Sequence, residues 1–117
     1  MPYHQLEVYQ KAYKLALEIH QASLRFPKME QYELASQLRR ASKSIPANIA
    51  EGRGKQSSEG EVRRFLQIAI GSCDESRVWL EYAKDLGYLG VEEHREFERR
   101  YQEIGRMLRG VQKRYGG

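Results

Sequence analysis

Gln37-Leu-Arg-Arg-Ala-Ser-Lys-Ser-Ile-Pro-Ala-Asn-Ile-Ala-Glu-Gly52 is the stretch whose reading decides the fold. Leu34, Leu38, Ala41, Ile45 and Ile49 recur at spacings of four and three, the rhythm of one apolar stripe on an α-helix. Three features set this helix apart from a plain core helix. Pro46 falls inside the pattern, where it removes the N–H that would bond the Ser42 carbonyl and predicts a bend. Asn48 and Glu51 are polar within a turn of the stripe's end. Arg39, Arg40 and Lys43 crowd the opposite side.

Outward from this stretch, the same period continues in both directions. Upstream, residues 5 to about 25 carry two adjacent rows. One is Leu6, Tyr9, Tyr13, Ala16, His20 and Leu24; the other is Val8, Ala12, Leu15, Ile19, Ala22 and Phe26. Together they make an apolar face wider than one partner helix requires. Phe26-Pro27 ends this first helix, because the residue before proline is driven out of the α region. His20 reads as a half-buried packing residue with one hydrogen bond. The second helix spans about 30 to 52, with Gly52 as its left-handed C-cap.

Downstream, Ser58-Glu-Gly-Glu61 reads as a capping box, the Ser58 hydroxyl taking the Glu61 N–H and the Glu61 side chain reaching back. It opens a third helix over 59 to 86, striped by Val62, Phe65, Leu66, Ala69, Cys73, Ser76, Leu80 and Ala83. Gly71 and Ser72 are small at mid-helix, and close approach of a neighbouring helix is their expected return. The fourth helix covers 91 to 114 and carries Phe97, Tyr101, Ile104, Leu108, Val111 and Tyr115. Its acids Glu92 and Glu93 and its bases Arg106, Arg109, Lys113 and Arg114 suit the helix dipole. No segment alternates with a strand period. Four helices with short connections predict an all-α, antiparallel up-down-up-down four-helix bundle, a single domain over 1–117.

The 117 residues suffice for one domain with a real core. A hydrophobic share of 40% and a charged share of 31% fit a globular protein rich in surface helix. The net charge of +4 allows a polyanionic partner as well as plain solubility. Cys73 is alone, so neither an internal disulfide nor a cysteine metal site is expected. No run approaches a membrane span, and the Met-Pro-Tyr-His start lacks a signal-like segment, so a cytoplasmic location without membrane contact is expected.

Catalytic motifs do not emerge. His4, His20 and His94 lack a glutamate three residues before them, so the di-iron pattern of bundle enzymes is missing. Gly52-Arg-Gly-Lys55 lacks the spacing of a phosphate loop and reads as a flexible turn. No cofactor or metal is expected. Glu51, Asp74 and Glu75 border apolar stripes and call for pairing with Arg39, Arg40, Arg64 or Arg77. An ion-pair network within or between subunits is favoured over acid–base catalysis. The basic residues Arg39, Arg40, Lys43, Arg53, Lys55, Arg63 and Arg64 form a candidate nucleic-acid face, with a solvated helix surface as the alternative.

Several of these strings resemble a known family. Gln37-Leu-Arg-Arg-Ala41, Ser44-Ile-Pro-Ala-Asn-Ile-Ala-Glu-Gly52, Arg64-Phe-Leu-Gln-Ile-Ala69 and Gly71-Ser72 are similar to the four-helix-bundle proteins named for 23S rRNA intervening sequences. Leu6-Glu-Val-Tyr-Gln-Lys-Ala12, Phe26-Pro27 and Leu86-Gly-Tyr-Leu89 extend the likeness over nearly the whole chain. The resemblance implies a non-enzymatic bundle, since the family has no agreed catalytic residues. It also implies a homo-oligomer of the ring-shaped pentamer kind, and RNA as a partner. It would place Asn48, Glu51 and Gly52, with Arg39 and Arg40, at the bend and at subunit contacts. The residue-level reading adds Glu75 to that structural network. A structural or protein-interaction adaptor with no nucleic-acid role is the other reading, and an enzyme built on Glu51, Glu75 and an arginine is a third.

Overall fold

The computed structural model describes residues 2–115. Four helices carry the architecture: α1 Glu7–Ser23, α2 Leu34–Arg53, α3 Glu59–Asp85 and α4 Val91–Lys113. Short 3-10 turns at Tyr3–Gln5 and Lys28–Glu30 precede α1 and α2. Each helix packs on its neighbour in sequence, and α4 closes the bundle against α1. Side-chain contacts give the directions. His20 meets Lys43 and Ser23 meets Arg39, so the α2 partner number falls as the α1 number rises. The same reversal joins α3 to α4 through Gln67–Gln112 and Arg77–Glu98, and α1 to α4 through Lys11–Glu103 and Arg25–Glu93. The all-α up-down-up-down bundle read from the stripes is the fold found.

Apolar stripes from all four helices converge on the axis. Leu15, Ile19, Leu38, Ile45, Leu80, Tyr101, Ile104 and Leu108 are fully buried there. Cys73 joins them, and burial pushes its thiol up to about 12, which leaves it protonated and unreactive at neutral pH. On α1 the row led by Val8 is the buried one. Tyr13 and Leu24 of the other row stay in solvent, so the excess apolar width is real.

Four local expectations differ from the structure. α2 begins at Leu34 instead of residue 30, because Lys28–Glu30 closes a 3-10 turn and Glu33 has non-helical dihedrals (φ −114°, ψ −105°). Gly52 does not cap α2 in a left-handed conformation, since the helix runs on to Arg53. Gly52 is buried, and a Cβ there would stand 3.2 Å from the Phe65 Cβ, so it serves the approach of α2 to α3. Gly71 has nothing within 4 Å of an added Cβ and is exposed, so no neighbour within one chain approaches it. The capping box is half made: Ser58 Oγ accepts from the Glu61 N–H at 3.3 Å, but the Glu61 carboxylate turns to Arg64.

α2 continues through Pro46 as helix, with the ring buried on the α1 side. Among the described residues the left-handed glycine is instead Gly87 (φ 81°), after α3. There the Tyr88 N–H bonds the Ala83 carbonyl at 2.8 Å and the Gly87 N–H bonds that of Lys84 at 3.0 Å. That paired closure is the Schellman pattern, which needs a residue free of Cβ.

Candidate nucleic-acid interface

The seven basic residues of the candidate face divide into two groups. Arg39, Arg40 and Lys43 lie in the first half of α2. Arg53, Lys55, Arg63 and Arg64 lie around the α2–α3 turn, about 20 Å further along at 1.5 Å per residue.

In the first group, Arg39 is committed inside the chain. Its guanidinium donates to Ser23 Oγ (2.8 Å), Gln31 Oε1 (3.2 Å) and the Gln31 carbonyl (2.8 Å). Gln31 in turn donates to the carbonyls of Ser23 (2.9 Å) and Phe26 (3.1 Å). Arg39 therefore ties the start of α2 to the end of α1. Arg40 points to solvent on the next position. Lys43 donates to His20 Nδ1 at 3.0 Å, which puts the imidazole proton on Nε2. Burial, with the nearby Lys43 and Arg39 charges, holds His20 below the ordinary 6.5.

A pH dependence follows for stability. The unfolded chain takes up a proton on His20 near 6.5, while the folded chain resists it. The unfolded state thus binds more protons in this window, and stability falls as pH drops below about 6.5. Thermal melts at pH 7.5 and pH 5.5 are expected to show a lower midpoint at pH 5.5. The drop should shrink in His20→Gln, and an equal drop would remove His20 as its source.

In the second group, Arg63 donates to the Tyr115 carbonyl at the end of α4. Arg64 grips the Glu61 carboxylate at 3.0 and 3.3 Å, and its guanidinium lies 4.4 Å above the Phe65 ring. That hydrogen bonding holds the Glu61 carboxyl below its usual range. Arg53 lines a pocket of about 340 Å³ with Gln56, Arg114 and Tyr115. Lys55 is exposed on the turn.

The same end of the bundle holds cations outside the candidate set. Gln56 donates to the Tyr115 hydroxyl at 3.2 Å and Gln112 to Gln67 at 2.8 Å, so the last turn of α4 lies beside the α2–α3 turn. This adds Lys113 and Arg114, both exposed, with Arg109 and Arg106 leading back along α4. The sequence signal was available: in an up-down bundle the fourth helix ends where the second does. By contrast the α1–α4 seam is neutralised. Arg100 makes a two-pronged pair with Glu18 at 2.7 and 2.8 Å, Arg25 meets Glu93 at 2.6 Å, and Lys11 meets Glu103 at 3.4 Å.

Within one chain, Asn48, Glu51 and Glu75 share no hydrogen bond or ion pair among the described residues. Asn48 donates to the Ser44 carbonyl (2.7 Å) and hydroxyl (2.9 Å), and Ser72 Oγ donates to Ser44 Oγ (2.9 Å), which couples α2 to α3. Glu51 is exposed on α2. Glu75 is exposed on α3, where it accepts the Trp79 indole N–H at 3.0 Å. Asp74 pairs with Arg77 at 3.6 Å, and Arg77 also reaches Glu98. Among the described residues, no three His, Cys, Asp or Glu side chains are grouped to hold a metal ion, and no helix is long and apolar enough to cross a membrane.

Comparison with known proteins agrees with the four-helix fold. A family model described as "23S rRNA-intervening sequence protein" matches residues 4–110. A crystal structure at 1.70 Å of a protein with unknown function, from the S23 ribosomal protein family of Bacteroides thetaiotaomicron VPI-5482, superposes with a TM-score of 0.83. It is 25% identical, and the alignment covers 91% of this chain and 95% of that one. The search of curated proteins gave no match. Neither description names a reaction. Since the match runs from the first 3-10 turn nearly to the end of α4, the chain belongs to the 23S rRNA-intervening sequence protein family.

Proposed function

We propose that this chain is a non-catalytic, homo-oligomeric bundle that binds RNA through a basic surface repeated once per copy. The observation that supports this reading most is the gathering of cations at one end of the bundle. Lys55 and Arg63 lie at the same end as Lys113 and Arg114, while the α1–α4 seam pairs charges internally. Phosphates are the anions such a surface suits, because each neutralised phosphate releases condensed counterions. Arg40 extends the surface along α2, and Arg64 contributes less because Glu61 holds it. Assembly would multiply a weak site through effective concentration. The family's name, which refers to an intervening sequence of 23S rRNA, agrees with RNA as the polyanion. The cytoplasm would be the matching location.

Labelled structured RNAs of unrelated sequence, titrated by anisotropy, test the proposal. If two copies together cover six phosphates, affinity is expected to fall about a thousandfold between 50 and 200 mM salt. Lys55→Glu with Arg114→Glu should remove most binding with unchanged circular dichroism, as both side chains are exposed. Absence of binding at low salt would overturn the proposal. A second reading, a protein-interaction adaptor without a nucleic-acid role, draws support from the tyrosine-lined groove between α1 and α2.

A further inference from the structure

Two apolar surfaces remain uncovered, and they differ in shape and in charge. The first is an open groove of about 430 Å³ between α1 and α2. Its wall is a ladder of tyrosines: Tyr3 meets Tyr9 edge-on at 5.0 Å, and Tyr9 stacks with Tyr13 at 5.9 Å. Its floor is shallow because the α2 side chains there are small, namely Pro46, Ala47 and Ala50. Lys43 stands in this groove as its cation. Tyr13 is 50% exposed and Leu17 53%.

The second surface is the outward face of α3. Ile68, Gly71, Glu75, Trp79, Tyr82 and Leu86 follow one another at spacings of three and four, so they share one helix face. This is not the core stripe, which carries Leu66, Ala69, Cys73, Ser76, Leu80 and Ala83. Apolar residues therefore occupy both sides of α3. Tyr82 is 56% exposed, and its ring lies 5.9 Å from that of Trp79. The ridge runs about 27 Å from Ile68 to Leu86 at 1.5 Å per residue. At its centre is a carboxylate, Glu75, which accepts the Trp79 N–H and makes no ion pair among the described residues. Glu81 and Asp85 flank the ridge. Gly71, with open space above it, lets a partner approach the helix closely.

We propose that the α3 ridge of one copy seats in the α1–α2 groove of the next, with Glu75 facing Lys43. This rests on the homo-oligomeric part of the proposed function and assigns its interface. A second copy is the occupant because the two surfaces complement each other: a convex acidic ridge and a concave groove holding a cation, present in equal number on every chain. Each leaves large apolar side chains in solvent, Tyr13 and Leu17 on the groove and Ile68, Tyr82 and Leu86 on the ridge, and such patches mark contact sites. α1 and α3 stand at opposite corners of the bundle, so the two surfaces face different directions. The contact is then head-to-tail, which closes into a ring when the rotation allows. It leaves the basic end formed by Lys55, Lys113 and Arg114 outside the interface on each copy.

A mixing experiment tests the pairing. Tyr13→Glu places a carboxylate in the groove, and Tyr82→Glu places one on the ridge; both positions are exposed, so helicity should be unchanged. By sedimentation, the wild type is expected to exceed two copies, and each variant alone should fall to the single-chain 13.7 kDa. An equimolar mixture should give one-to-one dimers, since one intact ridge meets one intact groove. A mixture that stays at single-chain mass would overturn head-to-tail pairing. Variants that keep the wild-type mass would overturn this interface and leave the oligomeric reading standing. A single-chain wild type would end both. Loss of RNA binding by Tyr13→Glu at unchanged mass would put bases, not a second copy, against the tyrosines.

Discussion

Arg39→Met is expected to lower the melting midpoint by about 10 °C while leaving RNA affinity within about threefold of wild type. The stability loss comes from three hydrogen bonds, to Ser23 Oγ and to both oxygens of Gln31. Hydrogen bonds from a charged donor contribute roughly 1.5–3 kcal/mol each, and they do not add when they share one side chain. Methionine keeps most of the apolar stem of a half-buried residue, so the loss isolates the guanidinium. About 2–3 kcal/mol is a reasonable total, and a chain of this length moves by roughly 4 °C per kcal/mol. RNA affinity changes little because three of the five guanidinium N–H groups are already engaged. Arg40→Met should do the reverse: a stability change within about 0.5 kcal/mol, as at other exposed positions, and weaker RNA binding. Equal midpoints for the two variants would show that Arg39 is not the tie between α1 and α2.

The contrast between these adjacent arginines marks the boundary of what the sequence discloses. Periodicity places both on α2, and it cannot tell them apart. Their difference is made by Ser23 and Gln31, which only chain reversal brings to Arg39. Features set by near neighbours were legible. The Ser58 cap depends on an N–H three residues away, and the stripe from Phe97 to Leu108 on α4 is buried as the spacing requires. Features set across the bundle were not. Gly52 has the sequence look of a C-cap, yet its role comes from Phe65 on another helix. Glu61 sits in a capping-box position, yet Arg64 offers it a full charge one turn away. The cations of α4 looked like simple dipole complements until the last turn came to lie against the α2–α3 turn. The width of the α1 apolar face was visible at once; the matching ridge on α3 was masked because its residues interleave with a core stripe on the same helix.

The close approach at Gly52 gives the other large expected effect. Gly52→Leu is expected to cost about 3 kcal/mol, or a midpoint lower by roughly 12 °C. A Cβ at this position already stands 3.2 Å from the Phe65 Cβ and 3.8 Å from the Val62 carbonyl oxygen. Both neighbours are close to the α3 backbone, so the strain is relieved only by parting the helices. Alanine tests whether the cause is volume. Gly52→Ala meets the same 3.2 Å contact but gains about 1 kcal/mol of helix propensity over glycine, so the two effects oppose and the midpoint should move little. A leucine variant as stable as the alanine variant would show that α3 yields here at no cost. The position also bears on the proposed RNA binding. Gly52 is next to Arg53, and the helices it holds together flank the turn that carries Lys55, with Arg63 at the start of α3. Parting them separates cations that must reach neighbouring phosphates at once. Gly52→Leu should therefore reduce RNA affinity even at temperatures where it is fully folded, with a shallower salt dependence than wild type, because fewer phosphates are covered together.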